Sequence, residues 1–199
     1  LACADSPQPV LFSTNVIGIT ETHLSADYWV NQLNDPNLVL SDQEKIEDFN
    51  REIFSTDRNM VDLSLFPEVL TAVEVRNRIL AISKPNKSAL YNPAGEILNT
   101  GMYDKYTANL GLESIPDSVV VRFALVVNRT SMRTYPTLDS YYKSANDHNL
   151  DRFQENGLFP GDAVAVLHVS ADKNWSFVQS YNYAAWVRSN SIAIGNRGQ

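Results

Sequence analysis

Apolar positions along this chain recur at helical spacing up to about residue 117, and beyond it they alternate or run together as strands do. Ser25 precedes Ala26–Leu33, where Tyr28, Trp29 and Leu33 fall near one face, so it is placed to cap a short helix. Ser41-Asp-Gln-Glu44 has the spacing of a capping box, and the helix it opens, to about Phe54, carries Ile46, Phe49 and Ile53 as an apolar stripe. Thr71 and Glu74 repeat that spacing ahead of Val75, Ile79 and Ile82, and Pro85 forbids simple continuation. Asn92-Pro-Ala-Gly95 and Ile115-Pro-Asp-Ser118 read as turns.

The second half has a different rhythm. Val119–Val127 is a β-branched run, Ala163–Val169 alternates apolar and small residues, and Trp175–Gln179, Tyr183–Val187 and Ser191–Ile194 are further short strands. Asp172-Lys-Asn174 and Tyr181-Asn182 are placed to turn two hairpins. Thr130–Thr137 interrupts this pattern and reads as a polar loop stiffened by Pro136. The expectation is an α+β chain: a tether over 1–9, a mostly helical region over 10–117, and a small antiparallel β-barrel or sandwich over 118–199.

Charge divides at the same place. Residues 1–117 carry 8 Lys/Arg against 17 Asp/Glu and residues 118–199 carry 8 against 6, for a net charge of −7. That balance argues against a nucleic-acid partner, which calls for a basic surface. No apolar run approaches the roughly 20 residues needed to span a bilayer. Cys3 is the single cysteine, so neither an internal disulfide nor a cysteine-based zinc site can form. Leu-Ala-Cys resembles the end of a bacterial lipoprotein signal, which makes Cys3 a lipidation candidate; the alternative is an incidental cysteine ahead of a flexible Ala4–Pro9.

Candidate chemistry is sparse. The three histidines, His23, His148 and His168, lie far apart, without metal-ligand spacing. No nucleophile elbow or glycine-rich phosphate loop is present, and no cofactor or metal is implied. Acidic groups such as Glu44, Glu47 and Asp48 read as a solvated helix face. Arginines and aromatics gather late in the chain, where Arg133, Tyr135, Tyr141, Tyr142, Arg152, Phe153, Trp175, Tyr181, Tyr183 and Trp186 could form a binding face. The competing reading places Phe153, Trp175 and Trp186 in the core and pairs Arg152 with a neighbouring carboxylate.

The runs Arg129-Thr-Ser-Met-Arg-Thr-Tyr-Pro-Thr137, Asp151-Arg-Phe-Gln154, His168-Val-Ser-Ala-Asp-Lys-Asn-Trp175, Phe177-Val178 and Ala185-Trp-Val187 resemble the bacterial SH3-type domain of NlpC-type cell-wall endopeptidases. More loosely, Ser25-Ala-Asp-Tyr-Trp29, Phe49-Asn50, Val61-Asp-Leu63 and Phe66-Pro67 resemble that family's N-terminal stabilising, or clip, domain. The resemblance implies an SH3-like barrel beside a papain-like catalytic domain that cleaves peptidoglycan stem peptides. It implies a periplasmic or outer-membrane lipoprotein of the cell envelope, touching membrane only through lipid on Cys3. Cys3 matches no catalytic motif, so the chain is expected to be a non-catalytic accessory region. Its partners would be the stem peptide, a downstream catalytic domain, or both. Arg133, Tyr135, Thr137, Asp151, Arg152, Gln154, Trp175 and Trp186 are the candidate substrate or domain-interface residues, with Arg133 paired either to a substrate carboxylate or to Asp151. The rival is an envelope interaction protein that clamps another polypeptide without binding peptidoglycan.

Overall fold

A computed structural model of the chain describes residues 12–57 and 59–197, so Cys3 and the expected tether lie outside the described residues. The chain forms two compact units that divide between Phe49 and Asn50. The expected boundary near residue 117 falls inside the second unit.

The first unit is built from local signals. Ser25 accepts a hydrogen bond from the Asp27 amide and starts helix α1 (Ala26–Val30). Helix α2 (Gln43–Thr56) begins one residue away from the expected cap: Asp42, not Ser41, accepts the Lys45 amide at 2.9 Å and pairs with its ammonium. A carboxylate next to the unpaired helix amides is the stronger acceptor. The stripe of Ile46 and Phe49 is present but exposed, and none of residues 12–49 is buried.

The second unit has a core. Strand β1 (Val69–Thr71) leads into helix α3 (Ala72–Ile82), whose Thr71–Glu74 capping box forms as expected. Val75 and Ile79 on its inner face are fully buried. Helix α4 (Thr100–Asn109) was not evident from the apolar pattern, since Tyr106 is its one buried side chain. The expected strand 119–127 breaks at Val121 into β2 (Ser118–Val120), which pairs with β1, and β3 (Arg122–Val126), which joins the main sheet. Thr130–Arg133 is strand β4, which corrects its reading as the start of a loop. Thr130 and Met132 point inward and Arg133 is ion-paired, so the polar residues of this strand do not mark exposure.

After β5 (Gln154–Leu158), strands β6 (Ala163–Val169), β7 (Trp175–Gln179), β8 (Ala184–Arg188) and β9 (Ile192–Gly195) follow close to the predicted spans. They form a seven-stranded antiparallel sheet ordered β5-β4-β8-β7-β6-β3-β9. This is a larger and open array instead of the small closed barrel expected. β5 and β9 are its two ends, and no pairing joins them among the described residues.

Candidate functional site

Arg133 shows how the predicted site residues are used. Its guanidinium is almost fully buried, 3.0 Å from the Asp151 carboxylate, and donates to the Asp139 carbonyl at 2.6 Å. Of the two partners open to it from sequence, Asp151 is the one in contact. Asp151 also accepts the amides of Tyr141 and Phe153, at 3.1 and 2.9 Å, so this pair closes the base of the 134–141 loop.

Other contacts fix the same loop from the helices. Ser83, at the end of α3, donates to the Thr134 carbonyl at 2.6 Å and accepts the Trp186 indole N–H at 3.1 Å. Tyr106 of α4 donates to Asp139 at 2.5 Å, and its hydroxyl meets that of Tyr141 at 3.0 Å. Burial and the neighbouring Asp139 carboxylate push the Tyr106 phenol well above its ordinary pKa, so it stays a donor. Tyr135 is fully buried against Phe153, and its hydroxyl has no hydrogen-bond partner among the described residues. Phe153, Trp175 and Trp186 are likewise buried.

A residue the sequence reading did not single out ties two loops together. Asn109, the last residue of α4, donates to the Pro136 carbonyl at 3.0 Å and accepts the Asp172 amide at 3.1 Å, while its own carbonyl accepts the Ala171 amide at 3.0 Å. Asp172 closes its turn through Ser170 and the Asn174 amide, which lets Lys173 adopt φ +60°. Burial pushes the Asp172 carboxyl up, but donors from Ser170, Asn174 and Asn109 outweigh that and hold it below its ordinary value. Gly111 follows at φ +64°, and a Cβ there would meet the Ala171 amide nitrogen at 3.1 Å. The one available signal was Asn109-Leu-Gly111 as a helix stop.

The result is a groove of about 590 Å³ between α4 and the two loops, lined by Lys105, Asn109, Pro136, Thr137, Leu138, Asp172, Trp175 and Arg188 among others. The Arg188 guanidinium lies over the Trp175 ring, 5.3 Å from its centroid. Of the eight predicted residues, Thr137 and Trp175 line this groove. Arg133, Tyr135 and Asp151 stand behind it as its frame, Trp186 lies in the core, and Gln154 is exposed on β5. Arg152 is half-buried, donates its amide to the Tyr141 carbonyl, and its Nε has no partner among the described residues. His168 donates through Nε2 to the Leu110 carbonyl at 3.0 Å, and desolvation holds its pKa below the ordinary value. Among the described residues no cluster of three or more potential metal ligands occurs, and no helix is long and apolar enough to cross a membrane.

Residues 136–188 match the family model of the SH3 domain of SH3b1 type. No curated protein matches the chain. Among solved structures, an NlpC/P60 endopeptidase from Photobacterium damselae subsp. piscicida is similar to it with a TM-score of 0.58 and 18% identity. The likeness covers 78% of this chain and 38% of that one, so this chain spans well under half of that enzyme's length. The chain thus carries an SH3b-type domain. At the level of fold, the two matches bear out the resemblance to the NlpC-type endopeptidases.

Proposed function

We propose that this chain is a non-catalytic accessory region of a bacterial peptidoglycan endopeptidase, in which residues 12–49 clasp a catalytic domain and the SH3b-type unit shapes or binds the cell-wall peptide. One observation carries the reading. Residues 12–49 build properly capped helices yet bury no side chain, leaving Ile17, Leu24, Trp29, Leu33, Val39 and Leu40 exposed. Apolar surface of this extent on a capped scaffold is what a protein interface uses. The SH3b match and the likeness to an NlpC/P60 endopeptidase favour a cell-wall hydrolase domain as the partner.

On this reading the cysteine and histidine that cleave the peptide belong to the clasped domain, and the chain works in the bacterial envelope, with lipid on Cys3 as its anchor. Hydrogen exchange tests it: adding an NlpC/P60 catalytic domain from the same organism should slow exchange over residues 12–49. Unchanged exchange at saturating catalytic domain overturns the clasp. Envelope crosslinking that captures a polypeptide unrelated to cell-wall hydrolysis, without glycan, would instead support the interaction-protein alternative.

A further inference from the structure

We propose that Asn156 is a self-modification site, at which the Gly157 amide nitrogen closes on the Asn156 carboxamide, converts it to aspartate and isoaspartate, and so loosens β5 from β4. The site lies on one strand of the SH3b-type unit and does not depend on the partner or ligand proposed above.

Asn156-Gly157 is the one Asn-Gly step in the sequence. A glycine presents its amide nitrogen with no Cβ to shield it. In β5 that nitrogen already touches the group it attacks: the Gly157 N–H donates to the Asn156 side-chain oxygen, Oδ1, at 2.8 Å. The carboxamide is thus folded back over the following peptide unit, close to the arrangement from which a five-membered ring closes. Gly157 is exposed and Asn156 half-buried, so hydroxide and water reach the pair. A Cβ on Gly157 would come no nearer than 3.8 Å to the Thr130 carbonyl oxygen, which leaves the ring room to form. The surrounding strand also gives way more easily than the rest of the sheet. β5 is an end strand, paired on one side alone, to β4. Met132 pairs with Asn156 and Arg133 with Gln154, so Glu155 is an extra residue that interrupts the ladder next to Asn156. An interrupted ladder at a sheet edge opens at lower cost than the core, and opening supplies the backbone rotation that ring closure needs.

The reaction needs only water. Hydroxide takes the Gly157 N–H proton, the nitrogen forms a bond to Asn156 Cγ, and the Cγ–Nδ2 bond breaks as ammonia leaves with a proton. Water then adds to the cyclic imide at one of its two carbonyls. Addition at Cγ restores the normal backbone with an aspartate; addition at the Asn156 main-chain carbonyl leaves the chain running through Cγ, as isoaspartate. Both products place a new carboxylate beside Glu155, whose own carboxylate already accepts the Thr134 and Tyr183 hydroxyls at 2.9 and 2.6 Å. Isoaspartate also lengthens the backbone by one methylene, which shifts every pairing of β5 beyond it out of register with Met132, Ser131 and Thr130.

The test is to incubate the folded 199-residue chain at mildly alkaline pH and follow each asparagine by peptide mapping and mass spectrometry, with isoaspartyl methyltransferase labelling to mark the isomer. Asn156 should convert about 10-fold or more faster than Asn146 and Asn190, and within about 10-fold of its rate in the free peptide 151–161. Gly157→Ala, at a backbone conformation that is not left-handed, should fold and slow the conversion by about 10-fold or more, because the added Cβ shields the nitrogen. Protection of Asn156 by more than about 10-fold relative to the free peptide, conversion no faster than at Asn146 or Asn190, or an unchanged rate in folded Gly157→Ala each overturns the proposal. In the isolated isoaspartate fraction, hydrogen exchange should speed up over Thr130–Arg133 and Gln154–Leu158, whereas Asn156→Asp, which adds the charge without the methylene, should stay closer to the unmodified protein. Unchanged exchange over both strands in that fraction overturns the loosening.

Discussion

Residues 12–49 and residues 50–197 obey the same local rules and reach opposite ends in packing. Both have N-caps whose side chains accept backbone amides, and both have helices with an apolar stripe. In the second unit the stripe of α3 is covered, and Val75 and Ile79 are fully buried; in the first, Ile46 and Phe49 stay 48% and 61% exposed. Capping and helical periodicity therefore say where a helix forms and which face is apolar. They do not say what covers that face, and in a short helix that cover supplies most of the stability.

Four tests would break or sharpen this contrast. The largest effect is expected at the buried ion pair. Arg133→Ala leaves the Asp151 carboxylate without its cation and should cost about 3–5 kcal/mol in denaturant unfolding, with strong coupling in a double-mutant cycle against Asp151→Asn. Lys45→Ala breaks a pair whose side chains are 72% and 55% exposed and should leave the midpoint unchanged. A loss at Lys45 comparable to that at Arg133 would mean that the first unit is packed after all.

Next comes the apolar stripe. Ile79→Ala should cost about 2–4 kcal/mol by opening a cavity in the core, whereas Phe49→Ala should stay within about 0.5 kcal/mol in the chain alone. The caps give a smaller version of the same test. Thr71→Ala should lower global stability by about 1 kcal/mol, and Ser25→Ala should reduce helical circular dichroism without moving the main transition.

The smallest effect is a pH dependence at His168. Its folded pKa lies below the ordinary 6.5, so the folded state resists protonation and the unfolded state takes up the proton first. Stability should be complete above about pH 6.5 and decline as pH falls from there toward the folded pKa. His168→Gln should flatten that part of the profile of melting temperature against pH. An unchanged slope would show that another group carries it.

Much of the second half was legible because its strands are buried on a regular period. β6 and β7 lie at the residues expected, and β8 and β9 start one residue late. β4 was not legible: Thr130, Ser131 and Arg133 are polar, and only their tertiary partners allow them a place inside a sheet. α4 escaped notice for a related reason, since its contribution is made by Tyr106 and Asn109 through hydrogen bonds, not by an apolar stripe. The candidate residues had mixed fortunes: Thr137 and Trp175 reach the groove, while Arg133 and Asp151 serve as its frame.

By itself, the sequence determined what depends on neighbours a few residues apart: caps at Ser25 and Thr71, the Asp172–Asn174 turn, strand spans, and the change of period after residue 117. Only the tertiary structure decided that Asp151 takes up Arg133, that Asn109 joins loops 27 and 63 positions further along, and that Lys105 and Arg188 line one groove. The physical reason is the range of the interactions. A cap is satisfied within one helical turn, whereas a buried charge is settled by whichever partner the whole fold brings within about 3 Å.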